Sequence, residues 1–212
     1  MQVYTGERPV LLRYVDDRRR TALDVGCGGG GFAPLLRSRG VRHVVGIEPD
    51  AGRAAAAAAV TDGADRVIHS TVEHALDHEL DGARFDLIVA TDVIEHLVDP
   101  WAVVERLATH LEPDGRLLVS VPNVGNLEVV KQLVLRGDWR YDDHGMFDRT
   151  HLRWFGRRTL RSLLDRAGLV PEQWGGRLAF GIGPLYTHRA LGDVRRIPSI
   201  AIFQHHVLAR RA

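Results

Sequence analysis

Between Thr21 and Phe32 the chain reads TALDVGCGGGGF: a short apolar run, then five glycines in six positions, then the start of an apolar helical pattern. This is the signature of a strand, a tight turn and a helix. Lacking Cβ atoms, the glycines let the backbone take positive φ and let a ligand approach the amides at the N-terminus of the next helix. Many nucleotide binders share a Gly-x-Gly after a strand. Asp24, just before the turn, narrows the choice, because a carboxylate there opposes a phosphate. The expected ligand is therefore cationic and free of phosphate. S-adenosylmethionine, with an ammonium and a sulfonium, meets that requirement, whereas a nicotinamide dinucleotide does not.

The chain on either side of this turn supports a parallel α/β sheet. Phe32 to Arg39 has a helical pattern ending at Gly40, and Val41 to Ile47 reads as a second strand, followed by Glu48-Pro49-Asp50. An acidic residue about 20 positions after a glycine turn is where a ribose diol is held in this architecture. Glu48, with Pro49 beside it, is the second expected cofactor anchor. Arg66 to Ser70 reads as a third strand that brings Thr71 and Val72 to the sheet's carboxyl edge, where an adenine could meet them. Phe85 to Thr91 is continuously apolar, as a central parallel strand must be. The motif Asp92-Val93-Ile94-Glu95-His96 follows it. Trp101 to Leu111 reads as a helix, Glu112 to Gly115 as a turn and Gly115 to Val121 as a fifth strand. Such alternation implies a doubly wound sheet with ligands outside the strands' carboxyl ends.

Before and after this core the pattern changes. Residues 1–20 read as an N-terminal cap with a short helix up to Tyr14, and Tyr4 and Arg8 are expected to fold over the cofactor end. Residues 123–156 read as an insertion on the substrate side, holding a helix from Leu127 to Leu135 and a polar-aromatic stretch, Asp138 to Phe155. A loop that long within a domain is functional or disordered, and its aromatics argue against disorder. Arg157 to Ala167 is an amphipathic helix, Gly175 to Pro198 reads as a strand followed by a loop, and Ser199 to Ala209 as a last strand. With 212 residues, one domain over 1–212 is expected.

Composition excludes several classes. A formal net charge of +1 lacks the basic excess of a nucleic-acid binder. A single cysteine, Cys27, rules out an intramolecular disulfide and points to a reducing cytoplasm. No signal-peptide pattern and no apolar run of about 18 residues occurs, so no membrane partner is expected. The sequence carries no signal of oligomeric state.

These residues resemble a class I S-adenosylmethionine-dependent methyltransferase. The resemblance rests on LDVGCGGG (23–30), GIEPD (46–50), FDLIVATDVIEHL (85–97), DGRLLVSVPN (114–123) and DRTHLRWFGRRTLRSLLDRAGL (148–169). Within the class the chain is most similar to the group of ubiquinone-biosynthesis O-methyltransferases and small-molecule tailoring enzymes. It implies a Rossmann-like seven-stranded sheet of order 3-2-1-4-5-7-6, with strand 7 antiparallel and a substrate-covering insertion after strand 5. It further implies that Asp24, Gly26, Cys27 and Gly28 line the methionine moiety, that Glu48 holds the ribose, that Thr71 and Val72 flank adenine, and that Asp92 and Val93 lie under the cofactor with His96 nearby. Many relatives carry an acidic residue after strand 3, where this chain has Ser70-Thr71-Val72.

Methylating a hydroxyl of a small acceptor calls for a base, and histidine suits neutral pH. His144 and His151, in the covering insertion, are the expected bases, with His96 expected beside the cofactor. Asp143, His144, Asp148 and His151 could suit a cation only along a helix, which Gly145 interrupts, so no metal is expected. Two other functions fit parts of the pattern. An RNA methyltransferase would use the arginines at 18–20, 157–158 and 195–196, and would show a steep salt dependence of RNA binding. A non-catalytic S-adenosylmethionine-binding protein would bind the donor without turnover.

Overall fold

The structure is a computed structural model and describes residues 8–61, 65–180, 187–191, 193 and 195–212. Eight strands form one sheet: β1 (Thr21–Val25), β2 (His43–Glu48), β3 (Arg66–His69), β4 (Phe85–Thr91), β5 (Leu111–Pro122), β6 (Leu169–Phe180), β7 (Thr187–Leu191) and β8 (Ile202–Arg211). Their order is β3-β2-β1-β4-β5-β8-β6-β7. From β3 to β5 the neighbours are parallel, and β8 runs antiparallel to both β5 and β6. With β8 in the place of the expected antiparallel strand 7, the first seven places reproduce the expected order. The eighth strand, β7, is a correction to the expected strand followed by a loop over Gly175 to Pro198: β6 already begins at Leu169 and pairs antiparallel with β7 from Gly176 and Leu191 to Phe180 and Thr187.

The described residues also form seven α-helices, besides short 3-10 turns: α1 (Arg8–Leu11), α2 (Ala33–Arg37), α3 (Ala51–Val60), α4 (Val72–His78), α5 (Pro100–Thr109), α6 (Leu127–Arg136) and α7 (Arg157–Arg166). Strands β1 and β4 are apolar on both faces because both faces are covered. Leu23, Val25, Ile88 and Ala90 join the core under α4, α5 and α7. Their alternating neighbours Ala22, Leu87 and Val89 pack with Leu11, Tyr14, Phe32 and Leu36 on the opposite face. The period-2 alternation of strand side chains thus feeds two cores from one sequence run.

The expected turn at Glu112–Gly115 lies within β5, with a register irregularity between Phe85 and Leu87 on β4. The backbone closes tightly there: a Cβ on Gly115 would stand 2.8 Å from the Phe85 carbonyl oxygen and 2.9 Å from both the amide nitrogen and the carbonyl oxygen of Glu112. Main chain cannot step aside as a side chain can. Gly115→Ala is therefore expected to destabilise the fold by about 1–3 kcal/mol, the usual range for overpacking, read as a lower urea midpoint with unchanged slope.

The insertion has its own small core, in which Val129, Met146 and Phe147 are buried, with Val124, Trp139 and Phe203 against them. Its helix α6 starts at Asn126, whose side chain accepts from the Glu128 amide, and stops at Gly137 with φ 63°. Asn123, fully buried, ties the insertion to the sheet by donating from Nδ2 to the carbonyls of Ser199 (2.8 Å) and Ile202 (2.7 Å). No helix among the described residues is long and apolar enough to cross a membrane.

Candidate active site

After β1 the chain passes outward to β2 and β3 and then returns to β4, so the strand order reverses between β1 and β4. A crevice opens at such a point outside the carboxyl ends of the strands. Here it is a cavity of about 970 Å³. Its floor is the glycine turn: Gly26, Gly28 and Gly30 take φ of 67°, 58° and 78°, which favour glycine. A Cβ on Gly28 or Gly31 would meet nothing within 4 Å, and both residues line the cavity. That open space over the turn, in a cavity at the upper end of the usual ligand-pocket range, fits a molecule laid against the backbone. Glu48, buried at the end of β2, braces the turn: one carboxylate oxygen accepts from the Gly28 amide at 2.8 Å and the other from the Asp50 amide at 3.1 Å.

The far wall follows β4. Asp92 is the one described non-glycine residue with positive φ, 54°. Its Oδ1 accepts from the Ser120 hydroxyl and from Gln204 Nε2, so β5 and β8 hold a strained residue in place. Val93 packs against the turn, since a Cβ on Gly26 would lie 2.6 Å from its Cγ2. Glu95 is buried, and neither of its carboxylate oxygens has a hydrogen-bond partner. Burial first, then the nearby charges of Asp92 and Asp148, push its pKa well above the usual carboxylate range. Its main-chain carbonyl accepts from the amides of Leu152 (2.8 Å) and Arg153 (3.0 Å), which draws the covering segment down onto β4.

That segment brings His144, Asp148 and His151 to the cavity. His151 packs edge-on against His96, with ring centroids 4.7 Å apart. One nitrogen of each imidazole and one Glu95 oxygen lie within 4.8 Å of one another. Burial, and then the neighbouring His96, lower the His151 pKa, so its neutral form is favoured. Burial tends to raise the Asp148 pKa. Hydrogen bonds from the Thr150 hydroxyl and amide, helped by His151 and His96, outweigh it and lower that pKa.

A family model described as a methyltransferase domain matches residues 5–173. The chain belongs to this family. It is 32% identical over 186 residues to a ubiquinone biosynthesis O-methyltransferase of Xylella fastidiosa, an alignment covering 80% of this chain and 73% of that protein. A protein of the same description from Marinobacter nauticus is 32% identical over 124 residues, and there the match spans 54% of this chain and 51% of the relative. Among solved structures, the 1,6-didemethyltoxoflavin-N1-methyltransferase of Burkholderia thailandensis, with bound S-adenosylhomocysteine, superposes with a TM-score of 0.63 at 21% identity, covering 99% of this chain and 79% of that one. The methyltransferase fold and its use of S-adenosylmethionine, both expected from the resemblance, are thereby established.

In this methyltransferase the cavity gathers most of the residues expected at the site. Gly26, Cys27, Gly28, Glu48, Asp92, His96, His144 and His151 all line it. Asp24 is buried in β1 and Pro49 is exposed after β2, and neither lines the cavity. The Thr71 hydroxyl accepts from the His74 amide as the cap of α4, and the Val72 side chain lies in the core, so both side chains are engaged in structure. Tyr4 and the Arg8 side chain lie outside the described residues, although Leu11 of α1 does reach the cavity. Sequence reasoning missed Ser120, Gln204 and Phe203, which line the cavity from β5 and β8.

Proposed function

We propose that this methyltransferase methylates a hydroxyl of a small-molecule acceptor, of natural-product, sugar or quinone type, with a cavity histidine as base. The observation that carries this reading is one continuous cavity, which runs from the glycine turn and Glu48 to His96, His144 and His151 under the covering segment. The names of the curated relatives favour oxygen as the accepting atom.

Bound S-adenosylmethionine supplies the methyl group and the positive charge that disappears on transfer. Glu48 keeps lone pairs for a ribose diol after accepting its two backbone bonds. Both bonds to Asp92 fall on Oδ1, which leaves Oδ2 for a cationic group. Burial favours the neutral form of Glu95, which limits negative charge in the cavity; excess anion there would stabilise the ground state more than the transition state. The covering segment positions the acceptor, and alignment of this kind supplies a large part of such an acceleration. The proton of the acceptor passes to a pocket imidazole.

Incubation with labelled methyl donor and a panel of phenols, sugars and carboxylic acids tests this. Label on a phenolic or sugar oxygen is expected, and label on nitrogen alone would refute the reading. His144→Ala and His151→Ala are each expected to lower turnover about tenfold, below the roughly 10²-fold that loss of a general base costs, with S-adenosylhomocysteine affinity nearly intact by calorimetry. Unchanged turnover in both would remove His144 and His151 as bases.

A further inference from the structure

His96 Nδ1 stands 3.2 Å from the Thr150 main-chain carbonyl oxygen and 3.1 Å from the Thr150 hydroxyl oxygen. That hydroxyl is 2.6 Å from Asp148 Oδ1, which also accepts from the Thr150 amide at 2.8 Å. The donors and acceptors in this chain assign themselves. A carbonyl can only accept, so the proton must sit on His96 Nδ1. The Thr150 hydroxyl has a single proton, which goes to the carboxylate, so its oxygen is an acceptor for the same Nδ1–H. His96 is thus held in the Nδ1–H tautomer, and Nε2 is the ring nitrogen left with a lone pair in a residue that lines the cavity.

We infer that Nε2 of His96 takes the acceptor's proton, and that Thr150 and Asp148 are the positioning residues that fix its tautomer. The inference rests on the O-methyltransferase reading and names the base within it. As the O–H bond of the acceptor breaks, its proton bonds to Nε2 and the oxygen pair forms the O–CH3 bond. The pair of the broken S–CH3 bond stays on sulfur, and the imidazolium returns its proton to water once product leaves. Asp148, linked through the Thr150 hydroxyl, fixes the orientation of the ring, as the carboxylate of a hydrolase triad does for its histidine. The other two histidines lack such an arrangement. His144 is exposed at the rim, and His151 is buried with its charged form disfavoured.

Two measurements test this. Long-range proton–nitrogen correlation spectra of histidine-labelled protein, with His96 assigned by its loss in His96→Gln, should show the Nδ1–H tautomer; an Nε2–H tautomer would overturn the inference whatever the acceptor is. Turnover is then read with catechol and with 4-nitrocatechol, which is largely ionised at the assay pH. His96→Gln should lower kcat about 10²-fold on catechol and only a few-fold on nitrocatechol, with S-adenosylhomocysteine affinity unchanged. Thr150→Val should show the same pattern more weakly, and Thr150→Ser should restore most of the rate. Equal losses on both acceptors would overturn the inference, as would a catechol rate that collapses with EDTA and returns with magnesium. Failure of the wild type to methylate either catechol, with the Nδ1–H tautomer present, would count against the O-methyltransferase reading and leave the positioning geometry standing.

Discussion

Replacing Glu48 with alanine is expected to weaken S-adenosylmethionine binding on the order of 10²-fold or more, measured by calorimetry with S-adenosylhomocysteine as a stable stand-in. The carboxylate is buried, its two oxygens accept from the Gly28 and Asp50 amides, and each oxygen has a second lone-pair site. Two charge-assisted bonds to a ribose diol at about 1.5–3 kcal/mol each give that factor. The variant also leaves two backbone amides without their acceptor, which loosens the turn on which the ligand rests. Glu48→Gln separates the two effects. It keeps the shape but must present an NH2 to one of two N–H donors, so an intermediate loss is expected. Affinity within a few-fold of wild type in Glu48→Ala would mean that the ribose is held elsewhere.

The parts of this site that could be read in the sequence are those built by contiguous residues at a strand end. The glycine turn follows directly from β1, Glu48 closes β2 and Asp92 follows β4, so the α/β alternation alone carries all three to one edge. The rest depends on contacts between distant segments. Gln204 meets Asp92 across 112 positions because β8 inserts antiparallel beside β5. The pairing of His96 with Thr150 depends on the irregular stretch at 138–155 folding back, so that two of its amides bond to the Glu95 carbonyl. No periodicity announces such a fold. Thr71 and Val72 show the opposite failure. They stand at the expected edge, but capping and core packing claim their side chains, and local sequence does not distinguish a residue at an edge from one that faces the cavity.

The other large effect concerns acid. His205 and His206 are both buried in β8, and both pKa values fall to about 3, through burial first and then through Arg157 for His205 and Arg177, His205 and Arg13 for His206. Unfolded, each would titrate near 6.5. Above that pH both states carry neutral imidazoles and the pair contributes nothing to pH dependence. Between pH 6.5 and about 3 the unfolded chain binds protons that the folded one refuses, so stability falls as pH falls. At pH 5 the loss is about 2 kcal/mol per histidine, about 4 kcal/mol for the pair, a large share of a typical folding stability. Glu95 acts in the opposite sense. Its raised pKa means that the folded state holds a proton that the unfolded one has released, so acid stabilises the fold through that group. The wild-type curve therefore sums opposed contributions, and the histidines are isolated by difference. Between pH 7.5 and pH 5, His206→Gln should lose about 2 kcal/mol less than wild type in urea unfolding, while Glu95→Gln should lose more than wild type. Parallel pH profiles for wild type and His206→Gln would show that His206 is protonated in the folded chain, contrary to its burial between Tyr14 and the sheet.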